Sequence, residues 1–200
     1  VPYTTAMAKQ TRTLPTRDRI LRAAKRLFQQ RGYYAVGTAE ILEASQAPKG
    51  SMYHHFPEGK EQIAIEAVNT IRADVLAMMQ QLQAKELSTA AAIRALAKGM
   101  AQWLKESQWR EGTMLASTTV GSVPDLPKLH AAIKEAFDEW RQHIVKLLSN
   151  EGWTKKEATT MANTLLAGIE GAMILARIDQ DERVVLKVAD TLATLVEKDR

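Results

Sequence analysis

The sequence predicts an all-α fold of about nine helices: an N-terminal three-helix domain holding a helix-turn-helix, over residues 14–60, then a larger helical body over residues 61–200. Three observations lead there. Apolar residues recur at helical spacing in nearly every segment. No stretch alternates with period two for more than a few residues. Punctuating residues such as Gly32, Pro48, Pro57, Gly59, Gly112, Pro124 and Pro127 fall between the periodic runs.

The elements follow in order. From Thr16 to Arg31, Ile20, Leu21, Ala24, Leu27 and Phe28 form one stripe, with Thr16 as N-cap, Asp18 in the first turn and Gly32 as the stop. Thr38 to Ser45 is a short second helix with Ile41 and Leu42 inward. Pro48 suits the first turn of a third, running to His55, before Phe56-Pro57-Glu58-Gly59 breaks the chain. Lys60 to about Ala84 sets Ile63, Ala67, Ile71, Val75, Met78 and Leu82 on one face. Ser88 opens a helix with Ile93, Leu96, Ala97, Met100 and Leu104 inward, and Met114 to Val120 makes a short helix in the irregular stretch 108–127. Lys128 to Asn150 carries Leu129, Ile133, Phe137, Trp140, Ile144 and Leu148. Thr154 and Glu157 have the spacing of a capping box ahead of Met161, Leu165, Ile169, Met173 and Ala176. The last helix starts near Asp181 with Val184, Val188, Leu192 and Leu195 as its apolar positions.

Composition excludes several classes of function. The chain has no cysteine, hence no disulfide, thiolate zinc site or cysteine nucleophile. His54, His55, His130 and His143 are too few for a histidine metal cage, and the adjacent pair points about 100° apart on a helix, so no metal and no cofactor is expected. No apolar run approaches 18 residues, which predicts no membrane span. Residues 1–13 lack the apolar centre of a signal peptide, and the chain is expected in the cytoplasm. Met7-Ala8 reads as a natural start, which would set residues 1–6 apart. Charge is uneven: residues 9–60 hold ten Lys and Arg against four acids, whereas residues 61–200 hold 17 against 19. A basic module on a near-neutral body suits a polyanion at one end, or a solvated basic helix.

The second and third helices have the scale of a helix-turn-helix, whose second helix enters the major groove by its N-terminal residues. Those residues are Lys49, Gly50, Ser51, Met52, Tyr53, His54 and His55. Gly50 lets the backbone approach DNA, and Tyr53 and the histidines can donate to phosphate or base edges. Tyr53 as a packing aromatic is the competing reading. Thr38 opens the preceding helix, where a main-chain N–H and a hydroxyl together hold a phosphate, and Lys60 opens the next, within reach of the flanking backbone.

The stretch from Thr16 to Val68 resembles the DNA-binding domain of the TetR (tetracycline-repressor) family of bacterial transcription regulators. The resemblance is carried by Ile20-Leu21-Arg22-Ala23-Ala24, Leu27-Phe28, Gly32-Tyr33, Thr38, Ile41, Lys49-Gly50-Ser51-Met52-Tyr53-His54-His55-Phe56 and Lys60-Glu61. The link Phe56-Pro57-Glu58-Gly59-Lys60 looks one residue longer than in most of the family. It is similar to that of the LmrA/YxaF-like subgroup, as is Glu170-Gly171-Ala172 with Ala176-Arg177. The resemblance implies a homodimer, a roughly palindromic double-stranded operator and a C-terminal domain that binds a small-molecule effector and releases DNA. Its DNA contacts fall on Thr38, Lys49, Gly50, Tyr53, His54 and Lys60, with His55 and Ser51 beside them.

In the body, Trp103, Met114, Phe137 and Trp140 are the candidate walls for an apolar, aromatic effector, with packing as the alternative for each and His143 as a polar neighbour. Glu170, Met173 and Arg177 share one side of a helix, as an ion pair within it or across a dimer, as polar groups of a pocket, or as exposed charges. Thr164, Gly168, Gly171 and Leu175 form a face of small residues where another helix can approach, so the last two helices are the candidate dimer interface. The function expected is a ligand-responsive repressor. An activator of the same fold and a helical enzyme with a DNA-binding module are the alternatives, and no nucleophile–base pair, phosphate loop or metal set supports the enzyme.

Overall fold

A computed structural model describes residues 14–122 and 125–198 (of 120–122 and 198, the backbone alone). Residues 1–6, which Met7-Ala8 would set apart, lie outside them. Among the described residues there are nine helices and no strand: α1 Thr16–Arg31, α2 Thr38–Ser45, α3 Ser51–His55, α4 Lys60–Gln83, α5 Thr89–Glu106, α6 Met114–Ser122, α7 Pro127–Asn150, α8 Lys155–Asp179 and α9 Arg183–Lys198. They pack into two compact units. One holds the described residues up to Ile71 and of Glu111–Ala136, the other Arg72–Arg110 and those of Phe137–Arg200. The division falls within α4, after Ile71, and within α7, after Ala136.

In the first unit α1 buries Ile20, Ala24 and Phe28 of the predicted stripe and leaves Leu21 and Leu27 half-buried at its margins. Around them pack Tyr33, Val36, Ile41, Met52, Phe56, Ile63, Ala64, Ala67 and Val68. The apolar spacing of α2 to α4 thus serves one small core built from short helices. Gly32 ends α1 at φ 75°, its N–H donating to the Phe28 carbonyl. α1 lies along α6: Gly112 N donates to the Gln29 carbonyl at 3.0 Å, and Arg26 pairs with Glu111 at 3.0 Å. A Cβ at Gly32 would sit 3.2 Å from the main-chain oxygen of Ser117. Two details differ from expectation. Pro15, not Thr16, is the N-cap of α1, and the Thr16 hydroxyl accepts from Arg19 instead. Pro48, Lys49 and Gly50 precede the third helix rather than open it, and Ser51 N donates back to Pro48 O at 2.9 Å.

In the second unit α9 packs against α5 and α8. One cluster joins Ala90, Ile144, Leu148, Ala158, Ala162, Leu165, Leu192, Ala193 and Val196, and a second joins Ala97, Leu104, Ala172, Met173, Ala176, Val185 and Ala189. The caps follow the sequence. Ser88 accepts from Ala91 N, and Thr154 and Glu157 form the expected capping box. The buried face of α9 is shifted by one residue, to Val185, Ala189, Leu192, Ala193 and Val196, and Leu195 is exposed. Alanines 189 and 193 give α5 and α8 close seats, which the larger Val184 and Val188 at its margin would not. Gly168 belongs to this intramolecular packing, since a Cβ there would lie 2.9 Å from Leu192 Cδ1, whereas Gly171 faces open space. By length and composition α8 is apolar enough to cross a membrane, which the search for an 18-residue apolar run did not foresee. Its buried face, Ala158, Ala162, Leu165, Ala172, Met173 and Ala176, is packed within this unit.

Candidate nucleic-acid interface

α2 and α3 are joined by a tight turn. Gln46 closes α2 in the left-handed region (φ 52°, ψ 37°), with its N–H on the Glu43 carbonyl and that of Ala47 on Leu42. Left-handed closure reverses the chain within one residue and delivers Pro48-Lys49-Gly50 to the head of α3. α3 is only five residues, so its orientation depends on two anchors, Met52 at 1% exposure and Phe56 at 0%. With these inward, helical geometry turns the next positions out. Tyr53 is 64% exposed, His54 is exposed with its ring edge-on to His55 at 4.9 Å, and His55 is half-buried. The packing reading of Tyr53 is thereby removed.

Lys49 and Gly50 are exposed, and a Cβ at Gly50 would meet nothing within 4 Å. The Ser51 hydroxyl donates to Pro48 O at 2.7 Å, which pins the turn and leaves its lone pairs for a donor. Thr38 occupies the first position of α2. The N-cap is Gly37, which supplies no side-chain cap, so the first-turn N–H groups are not taken up by a side chain there. Gly37, Lys49, Gly50, Tyr53 and His54 are thus exposed, and Thr38, Ser51 and His55 half-exposed, on the helix-turn-helix.

Lys60 is different. Its ammonium donates to the carbonyls of Tyr33 at 3.2 Å and Val36 at 3.1 Å and lies 4.0 Å from the centre of the Tyr33 ring. Burial pushes its pKa below the ordinary lysine value. The expected reach to flanking phosphate is not the use this geometry makes of it, because two carbonyls and a ring face surround the charge. Other cations of the module are also engaged: Arg17 with Glu66 at 2.6 Å, Arg26 with Glu111 at 3.0 Å, and Arg31 with Glu40. The surplus counted from the sequence is therefore larger than the charge offered to a polyanion. Sequence reading also missed Arg19, whose guanidinium binds the carbonyls that close α2. Main-chain acceptors leave no mark in a sequence, so no signal was there to find.

The effector candidates are distributed between units. Met114 is buried in the first unit's core. Trp103, Phe137 and Trp140 belong to the second. Phe137 and Trp140 meet edge to face at 5.4 Å, and the Trp140 indole donates to the Arg72 carbonyl at 3.2 Å. Trp103 packs half-buried on the Ala97–Leu104 cluster. Neither described cavity is lined by these four. One of about 310 Å³ lies among Trp109, Ile174, Arg177 and Ile178, and one of about 170 Å³ among Lys98, Ala101, Gln102, Lys105, Glu182 and Leu186. Arg177 hydrogen-bonds the carbonyls of Trp109 (3.2 Å) and Arg110 (3.1 Å), tying α8 to the left-handed turn at Gln108 and Trp109. No group of three or more His, Asp or Glu side chains able to hold a metal occurs among the described residues.

Comparison with known proteins bears on this arrangement. Residues 20–67 match the family profile described as bacterial regulatory proteins, tetR family, and residues 89–191 match that of the LmrA/YxaF-like transcriptional regulator C-terminal domain. The chain is 33% identical to the HTH-type transcriptional regulator YxaF of Bacillus subtilis over 187 residues, 92% of this chain and 96% of that one. To LmrA of the same organism it is 33% identical over 190 residues, 92% and 97% of the two chains. Its fold is similar to that of a TetR regulator from Legionella pneumophila, with a TM-score of 0.82 at 21% identity over 91% of this chain and 97% of the other. A regulatory protein TetR from Rhodobacter sphaeroides gives 0.80 at 20% identity, over 90% and 97%. With a helix-turn-helix that holds Tyr53 and His54 outward, and with relatives that match it along nearly their whole length, the chain belongs to the TetR family of bacterial transcriptional regulators, in the LmrA/YxaF-like group, and is not an enzyme.

Proposed function

We propose that this regulator is a repressor: a homodimer that binds a roughly palindromic operator in the cytoplasm and leaves it when a small apolar, aromatic effector binds. The observation that carries the reading is the division of labour over α3 and the residue after it, where Met52 and Phe56 fill the core and Tyr53 and His54 are left to the outside. Thr38, Lys49, Gly50, Ser51, Tyr53, His54 and His55 are the DNA-contacting set, with Lys49 and the N–H groups of α2 on phosphate and Tyr53 and His54 toward base edges. The dimer is supported by an exposed apolar patch at the end of α8, where Ile174, Leu175 and Ile178 are 51%, 51% and 71% exposed. Isologous pairing of that patch would present two reading heads to two half-sites. Phe137, Trp140 and Trp103 are the effector walls within the second unit; Met114 is left out because its side chain fills the first unit's core.

The test is selection of duplexes from a random-sequence library by the purified protein, followed by footprinting and sedimentation. A two-fold symmetric site, bound by two chains and preferred over scrambled DNA by about 10³-fold or more, supports the reading. Uniform affinity for every duplex points to an architectural binder and sinks it. Placement of the operator relative to the promoter then separates repression from activation. Aromatic compounds that quench tryptophan emission and release the operator, with weaker effect in Phe137→Ala, support the effector assignment; linkage requires operator DNA to weaken effector binding by the same factor.

A further inference from the structure

Two cations of the basic module direct their hydrogen bonds at main-chain carbonyls, and those carbonyls lie on either side of α2. Arg19 Nη1 donates to Ser45 O and Gln46 O, both at 3.1 Å, and its Nη2 to the Thr16 hydroxyl at 3.3 Å. Lys60 Nζ donates to Tyr33 O at 3.2 Å and Val36 O at 3.1 Å, against the Tyr33 ring. We propose that Arg19 and Lys60 are positioning residues for sequence recognition: they clamp the loops before and after α2 and so fix where Thr38 and the Lys49-Gly50 turn meet a duplex.

The spacing makes the clamps consequential. Val36 is two residues from Thr38, and Gln46 three from Lys49, so any movement of either carbonyl passes almost undiminished to a contacting residue. Arg19 suits its place. One guanidinium nitrogen bridges two neighbouring carbonyls while the other is held by the Thr16 hydroxyl, and a cation at the C-terminal end of α2 complements the helix dipole. Lys60 has no such help, because it stands in the first turn of α4, where a cation opposes the dipole. What holds it is the pair of carbonyls and the ring face, and an ammonium with three donors so enclosed has little left for phosphate. The proposal rests on the DNA-binding reading above and adds a role that no charge count reveals: these cations contribute precision of fit rather than counterion release.

The experiment compares the wild-type full chain with Lys60→Met and Arg19→Lys, the second of which keeps the charge and removes the planar group held at once by Thr16 and the two carbonyls. The probes are a duplex enriched from a random library by the wild type and its scrambled counterpart, titrated over a salt series below each variant's melting temperature. Amide hydrogen exchange is followed without DNA. Both variants should lose about tenfold on the enriched duplex, the size of one mismatched base pair. They should change less than about twofold on the scrambled one and keep the slope of log K against log salt. Exchange should quicken at residues 36–38 in Lys60→Met and at 46–51 in Arg19→Lys. If Lys60→Met instead weakens both duplexes equally and flattens the slope by about one unit per half-site, Lys60 is a phosphate contact and the proposal is overturned. Unchanged selectivity, or unchanged exchange at these loops, overturns it as well. Should the wild type enrich no duplex, the DNA-binding reading fails, and the exchange measurement still decides whether the loops are clamped.

Discussion

Replacing Gly32 by alanine tests whether the joint between α1 and α6 is as tight as the geometry states. Gly32 stands at φ 75°, ψ 175°, a region that side chains other than glycine enter only at about 1–3 kcal/mol. The added Cβ would also lie 3.2 Å from Ser117 O and 3.6 Å from Ser117 C, which are helix main-chain atoms rather than the yielding end of a side chain. α6 cannot simply retreat, because the segment entering it is tied to α1 by Gly112 N on Gln29 O and by Arg26 with Glu111. Crowding of that kind adds about 1 kcal/mol at the low end of overpacking costs. Alanine also stiffens the unfolded chain, which returns about 0.4–1 kcal/mol to the folded state. The balance is a loss of about 1–3.5 kcal/mol, or roughly 2–14 °C in Tm for a chain of this size. Urea denaturation followed by circular dichroism measures it, with Gly37→Ala as the control because a Cβ there meets nothing within 4 Å. Gly32→Ala within about 0.5 kcal/mol of wild type, or no more costly than Gly37→Ala, would refute the reasoning.

Other expectations are as direct. Gly50→Val and Tyr53→Ala should each leave stability within about 0.5 kcal/mol of wild type, since both positions are open, yet cost at least about tenfold in affinity for an enriched duplex; wild-type affinity removes them from the contacting set. Ile178→Asp should shift sedimentation from dimer to monomer while the helical content stays, and an unshifted dimer would place the interface elsewhere. Thr154→Ala breaks the capping box of α8 and should destabilise by about 1 kcal/mol, read from the urea midpoint. Burial, then the charge of Lys146, lowers the pKa of His143 below its ordinary 6.5. The native state then binds fewer protons than the unfolded chain between the lowered value and 6.5, so this contribution is complete above 6.5 and is lost as pH falls through that window. Urea midpoints measured across it should rise with pH in wild type and rise less in His143→Gln; equal slopes would acquit the histidine.

Much of this architecture was legible because helical periodicity reports burial directly. Ile20, Ala24 and Phe28 fall inward as their spacing requires, and Thr154 with Glu157 caps a helix as their spacing requires. Periodicity became ambiguous where apolar residues cover more than one face. α9 carries Val184, Val185, Leu186, Val188, Ala189, Leu192, Ala193, Leu195 and Val196, and weighting the large side chains selected a stripe one residue away from the one that packs. The small-residue face of α8 mixed two surfaces for a similar reason: Gly168 admits Leu192 of the same chain, and Gly171 admits nothing. In the helix-turn-helix the exposure of Tyr53 and His54 follows from helical spacing, but the partners of its cations do not. Nothing in the letters distinguishes a lysine that meets phosphate from one that meets the carbonyls of Tyr33 and Val36. A ligand wall is least legible of all, since Trp103, Phe137 and Trp140 have the spacing of packing residues whether or not a ligand enters beside them.

The shortness of α3 carries a consequence for how such a protein changes its target. Only Met52 within this element and Phe56 just after it are core residues, and the turn before it is closed by main-chain bonds at Gln46, Ala47 and Ser51. Lys49, Gly50, Tyr53 and His54 are thus exchangeable letters on a fixed carrier. A library randomised at those four positions, with Met52, Phe56, Arg19 and Lys60 kept, should return folded proteins at high frequency and new operator preferences among them. On the proposed reading the scaffold stores stability and the exposed positions store address, so the address can drift without the fold having to follow.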